Sequence, residues 1–187
     1  MVTARAIGYA LLGLVALERV VELAVSTRNA RRTLARGGVE RGRGHYPVMV
    51  AFHAGVLAAC AAEPVVWPEP AWPVAATAGA ALAVAAAQAL RWWAVGTLGE
   101  RWSTRIVVVP GAAPVVSGPY RWLRHPNYVA VAVELAALPL ALGAWRTAIA
   151  ATLGNAALMA IRIPAEERAL GPAWAAAFAA RPRGGGP

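Results

Sequence analysis

Apolar runs close to the length that crosses a bilayer, separated by short polar connections, constrain this chain more than any other feature. They cover residues 6–25, 46–62, 74–90, 126–142 and 145–163. A spanning helix needs about 20 mostly apolar residues, and the last two runs are joined so tightly at Gly143 that they must form a helical hairpin. The expected fold class is all-α: a polytopic integral membrane protein with about five transmembrane helices and a C-terminal interfacial helix over 165–180. With 59% hydrophobic and 14% charged residues, the chain is too apolar for a soluble domain, where about 25% charge is usual. One domain over 1–187 is expected, with a disordered tail at 181–187.

The net charge of +9 comes from arginine alone, and its placement excludes a nucleic-acid face. Arg28, Arg31, Arg32, Arg36, Arg41 and Arg43 fall in one connection (26–44), and Arg101, Arg105, Arg121 and Arg124 in another (96–124). That is the positive-inside pattern. It predicts a multi-pass protein of the cell membrane, in contact with membrane lipids, with its N-terminus outside and both arginine-bearing connections and its C-terminus cytoplasmic. Residues 63–73, rich in proline and carrying Trp67 and Trp72, then form an external loop with an interfacial aromatic belt. The first run begins like a signal peptide, but Glu18, Arg19 and Glu22 continue its helical pattern where a cleavage region would lie, so a mature helix is expected. Small residues in 74–90 suit close packing in lipid, and Arg91, Trp92 and Trp93 read as an interfacial anchor. Cys60 is a lone cysteine in an apolar run and is assigned to packing.

Polar side chains inside the runs have two readings each. Glu18 and Glu22 share a helix face, with Arg19 in reach of Glu22; they are a structural ion pair or a substrate-facing group. His53 is a hydrogen-bonded structural residue or a general base. Glu134 and Asn155 serve each other or a substrate.

The stretch 117–128, SGPYRWLRHPNY, is the densest in chemistry. Ser-Gly-Pro reads as a turn, and Pro126 favours the first helical position while pushing His125 out of the helical region. A helix start there offers unpaired N–H groups and the positive end of the dipole to a carboxylate or phosphate. Upstream, 106–109 followed by Pro110-Gly111 reads as a short extended piece ending in a turn. Downstream, Pro164 is expected to end the fifth run, and a final helix to begin at Ala165. Glu166 and Glu167 would then be first-turn acids that complement the dipole. Trp174 and Phe178 share a face, as in a helix lying along a membrane surface.

The segment GPYRWLRHPNY, the tight hairpin and then RIPAEERAL resemble the isoprenylcysteine carboxyl methyltransferase family over residues 105–170. The resemblance implies a membrane methyltransferase with S-adenosyl-L-methionine as cofactor, bound by the half of the chain at 99–180, with the spans at 1–98 on the substrate side. Carried over residue by residue, it makes His125, Pro126, Asn127 and Tyr128 cofactor contacts. Tyr120, the backbone of Ala112, Ala113, Pro114 and Val115, and Glu166 join them, with Arg162 facing substrate. No metal is implied. The family has a histidine where this chain has Ala112, which leaves contacts there to the backbone. S-adenosylmethionine presents a carboxylate, an ammonium and a sulfonium, so a donor-rich helix start, an acid and an electron-rich ring suit it.

The motifs RVVEL and HYPVMVAFH are similar to a bacterial branch associated with type III polyketide synthases, which implies O-methylation of a long-chain alkylpyrone or alkyl phenol and such a synthase as functional partner. In that reading Arg162 meets the acceptor oxygen, and His53, Glu22 and Glu134 orient it. The alternatives are a prenylcysteine-like carboxylate, a lipid amine, and a non-catalytic membrane scaffold.

Overall fold

Five helices and one two-stranded ribbon make up the computed structural model, which describes residues 2–69 and 72–179; the tail expected at 181–187 lies outside the described residues. The helices are α1 (Val2–Ala35), α2 (Tyr46–Val66), α3 (Val74–Leu98), α4 (Pro126–Ala141) and α5 (Trp145–Ala179). Strands β1 (Val39–Arg41) and β2 (Ile106–Val108) pair antiparallel, Glu40 opposite Val107. Three helices, α2, α3 and α5, are long and apolar enough to cross a membrane, and α4 is a shorter apolar helix. The protein is an all-α membrane protein. α1 misses that mark because Glu18, Arg19 and Glu22 interrupt its apolar run.

In lipid, helices gain little by hiding apolar surface from one another, so close packing and polar contacts hold them together. α3 and α4 share the most extensive interface, and the residues α3 buries are mostly small: Thr77, Ala80, Val84, Ala87 and Ala94. The core joins Leu12 and Val15 of α1, Val56 and Cys60 of α2, and Leu135 and Leu138 of α4. Cys60 is fully buried there, as a packing residue should be. Leu14, Leu17, Leu82, Leu153 and Ile161 are exposed on the outside of the bundle, where acyl chains would cover them.

Several elements depart from the sequence expectation. The arginine connection expected from 26 is helical to Ala35, because arginine is a good helix former and the stop lies at Gly37-Gly38, where Gly38 N–H closes on Thr33 O at 2.9 Å. This added stretch is anchored by polar side chains: Asn29 donates to the carbonyls of Gly99 and Trp102, and Ser26 lies 2.7 Å from the Thr104 hydroxyl. Arg91, expected at the interface, is 2% exposed. It pairs with Glu22 (3.3 Å) and Glu134 (3.1 Å), while Arg19 meets Glu22 at 2.5 Å and Glu134 at 3.4 Å. With Glu18 3.4 Å from Arg19, a five-residue ion network thus ties α1, α3 and α4, and Glu134 is spent there rather than on Asn155, whose Oδ1 is buried without a partner.

Glu63, expected in an external loop, is buried in the last turn of α2. A proline in that turn removes only one helical hydrogen bond, so Pro64 does not end the helix. The Glu63 carboxylate accepts the backbone N–H groups of Arg146 (3.1 Å) and Thr147 (2.7 Å) and the Thr147 hydroxyl (2.5 Å). It caps α5 from another helix. The hairpin turn before α5 is made by Gly143 at φ 76, a backbone shape that glycine adopts without a Cβ penalty.

Pro164 does not end α5. The helix runs through it and breaks at Gly171 (φ 79, ψ −175), immediately before Pro172. Glu166 and Glu167 therefore lie within the helix, and a first-turn role for them is removed. Trp174 and Phe178, beyond the break, pack inward on Ala94 and Tyr120 rather than facing a membrane surface.

Candidate functional site

The segments that converge at one end of the bundle enclose a cavity of about 510 Å³, within the range of small-molecule sites. The 109–117 connection forms one wall and brings Ala112, Ala113, Pro114 and Val115 to the cavity; Arg101 holds it by donating to Ala113 O at 2.7 Å. A 3-10 turn over Gly118–Arg121 places Tyr120 beside it, and the start of α4 supplies His125, Asn127 and Tyr128. α5 contributes Arg162 and Glu166, and the residues around the Gly171 break close the remaining side with Trp174. Pro126 starts α4 as expected but is buried beneath and does not line the cavity.

The contacts among these residues are specific. Tyr128 O–H donates to the Glu166 carboxylate, and Arg162 Nε–H donates to the same phenol oxygen at 2.9 Å. Arg162 Nη2 donates to Thr104 O at 2.5 Å, while its Nη1 is buried without a partner. Among the described residues no carboxylate forms an ion pair with Arg162, although the residue is only 5% exposed. His125 stacks on Tyr128, ring centroids 5.2 Å apart, lies 5.4 Å from Trp174, and meets Glu167 through Nε2 at 3.0 Å. Asn127 Oδ1 is also buried and unpartnered. Burial, with the Glu166 charge added, pushes the Tyr120 phenol above its ordinary pKa, so its ring stays neutral and electron-rich.

Of the site residues expected from sequence, Ala112 to Val115, Tyr120, His125, Asn127, Tyr128, Arg162 and Glu166 line one cavity. Glu22 and Glu134 do not; they belong to the ion network with Arg19 and Arg91. His53 does not either: its Nδ1 lies 2.8 Å from Met49 O of its own helix, the structural reading of that residue. Sequence reasoning missed Glu167, Thr104, Trp174, Arg101, Arg105 and Arg124. The signal for Glu167 was present in its neighbour. Arg101, Arg105 and Arg124 were absorbed by the positive-inside pattern, which does not distinguish a cavity wall from a loop.

What the chain presents is a partly open chamber, mainly apolar with a few convergent polar groups, at one end of a bundle of membrane helices: the form of a small-molecule site in an integral membrane protein. The sequence model of the isoprenylcysteine carboxyl methyltransferase family matches residues 80–172, which supply all of the chamber lining except Thr33, Ala173 and Trp174. The chain is also 34% identical over 160 residues to the uncharacterized protein YpbQ of Bacillus subtilis (strain 168), covering 86% of this chain and 94% of that protein. It belongs to the isoprenylcysteine carboxyl methyltransferase family and is a membrane methyltransferase. No solved structure matches it.

Proposed function

We propose that the protein is an S-adenosylmethionine-dependent O-methyltransferase of a lipophilic acceptor, most simply a long-chain alkylpyrone or alkyl phenol made by a type III polyketide synthase. The observation that carries this is Arg162, a buried guanidinium whose Nη1 has no hydrogen-bond partner and which has no counter-ion among the described residues. An uncompensated buried charge is costly, so the chamber favours a bound anion, and an enolate, phenolate or carboxylate oxygen supplies one. A protonated lipid amine would be repelled.

The chamber also fits the cofactor. Tyr120 offers a ring face to a sulfonium, that of Tyr128 being taken by His125 and Arg162; Glu166 offers a carboxylate to a cation, and the orphaned Asn127 Oδ1 accepts from an ammonium or hydroxyl. When bound, the cofactor supplies an electrophilic methyl group. The residues of this chain hold and orient: Tyr128 ties the acid Glu166 to the base Arg162, so that the cation side and the anion side of the chamber share one phenol. Catalysis then rests on alignment, and an acceptor that is already an anion needs no proton removed. The arginine distribution supports a multi-pass arrangement with the chamber facing the cytoplasm.

The family favours a second reading, a prenylcysteine-like carboxylate, since Arg162 suits a carboxylate equally. Mass spectrometry of lipids from cells with and without the protein separates them. A methyl ether on a polyketide lipid supports the first reading, a base-labile methyl ester the second. Absence of S-adenosylhomocysteine binding by the purified protein would leave only a non-catalytic scaffold.

A further inference from the structure

The wall of the chamber carries more positive charge than methyl transfer needs. Arg101, Arg105, Arg124 and Arg162 line it, against the single carboxylate of Glu166. S-adenosylmethionine is itself a net cation, and an acceptor anion at Arg162 offsets only one charge. Most of the excess sits at the mouth, where Arg101, Arg105 and Arg124 are exposed.

Each of these three is held mainly by a neutral group. Arg101 is fixed by the Ala113 carbonyl at 2.7 Å, Arg105 lies over the Tyr46 ring at 5.1 Å, and Arg124 lies over Trp174 at 5.8 Å. The carboxylates they approach are distant and shared. Glu40 is 3.8 Å from Arg105 but 3.3 Å from Arg43, and Glu167 is 3.9 Å from Arg124 but 3.0 Å from His125. Stacking on a ring uses the face of a guanidinium and leaves its N–H edge to donate, which is the geometry that recognises phosphate. The same end of the protein exposes large apolar side chains: Val109, Val116, Val129 and Trp122, the last 68% exposed. A phosphate bound there would have acyl chains beside apolar surface, which a soluble anion would not need.

We propose that the chamber mouth binds the headgroup phosphate of an anionic phospholipid through Arg101, Arg105 and Arg124. This reading rests on the chamber opening at a headgroup layer and not on the identity of the methyl acceptor. The lipid would be a resident component of the site that offsets its charge and closes its membrane-facing side.

The test uses the purified full-length protein in neutral detergent, titrated with fluorescent phosphatidylglycerol. Its affinity should exceed that for the matching phosphatidylcholine by about tenfold or more, since three basic residues act together on a headgroup of net negative charge. The preference should vanish in the triple variant Arg101→Gln/Arg105→Gln/Arg124→Gln. It should persist in Arg28→Gln/Arg31→Gln/Arg41→Gln, which removes equal charge from exposed positions outside the chamber. Equal loss in both variants would mean diffuse attraction and overturn the proposal. Displacement of the lipid by inorganic phosphate at comparable concentration would mark a soluble-anion site and overturn it too. Should the first variant not fold, photoactivatable phosphatidylglycerol on the unaltered protein decides: label within residues 101–129 or at Trp174 supports the site, and label elsewhere refutes it. Binding of S-adenosylhomocysteine, measured in parallel, reports separately on the methyltransferase reading.

Discussion

Arg162 sits over the ring of Tyr128, its guanidinium carbon 5.7 Å from the centroid, and donates through Nε to the Tyr128 oxygen at 2.9 Å. One phenol thereby orients a base from α5 while donating its own proton to Glu166, one turn further along the same helix. Removing only that oxygen tests whether the alignment matters. Tyr128→Phe should keep the stack with His125 and lower kcat/KM about tenfold to a hundredfold, as loss of a hydrogen bond to charged groups at about 1.5–3 kcal/mol implies. An unchanged kcat/KM with the best acceptor would show that the phenol is dispensable.

Arg162 should trade stability for function. Replacing it with methionine removes a buried charge that has no counter-ion among the described residues, so thermal unfolding in detergent should be unchanged or shifted upward. Methyl transfer should fall by about a hundredfold or more, the scale of losing a charge-stabilising donor. A variant both less stable and fully active would contradict the assignment of Arg162 to an anionic acceptor.

Arg91 should behave in the opposite sense. Arg91→Leu leaves Glu22 and Glu134 facing each other with only Arg19 between them, at a cost of about 3–5 kcal/mol. Adding Glu134→Gln should recover part of it. The exposed pair Arg32–Glu100, 2.8 Å apart, is the contrast: Arg32→Gln should change stability by about 0–1 kcal/mol. Equal effects at the two sites, read by thermal unfolding, would refute a buried network.

Glu63→Ala should cost about 1–2 kcal/mol, because it strips the cap from α5 and leaves the Arg146 and Thr147 N–H groups without their acceptor. The chamber lies at the far end of that helix, so S-adenosylhomocysteine affinity should not move. A parallel loss of affinity would show that the hairpin transmits strain along its length.

The helices were legible because a bilayer imposes a length, and the motif was legible because proline fixes where α4 starts. Arg162 and Glu166 were linked only through the family's spacing, because the break expected at Pro164 put them on different helices, whereas α5 carries both. Other features depended on neighbours that are distant in sequence. Arg91 beside two tryptophans has the local pattern of an interface anchor, and only the meeting of α1, α3 and α4 shows that it faces inward. Pro164 carries a helix-ending signal that α5 overrides, so the acids after it changed from first-turn residues to mid-helix groups. β1, three residues within an arginine- and glycine-rich connection, has no pattern of its own and exists because β2 pairs with it.

The brevity of α4 has a consequence for access. Its 16 residues extend about 24 Å, short of a hydrocarbon layer about 30 Å thick. The bilayer must then thin around α4, or one of its ends must lie below the surrounding surface. With the deficit at the Pro126 end, the chamber would become a dimple, with water descending from above and lipid meeting its rim from the side. A water-soluble reactant and a membrane-dissolved one can then arrive at the same place without either leaving its own phase.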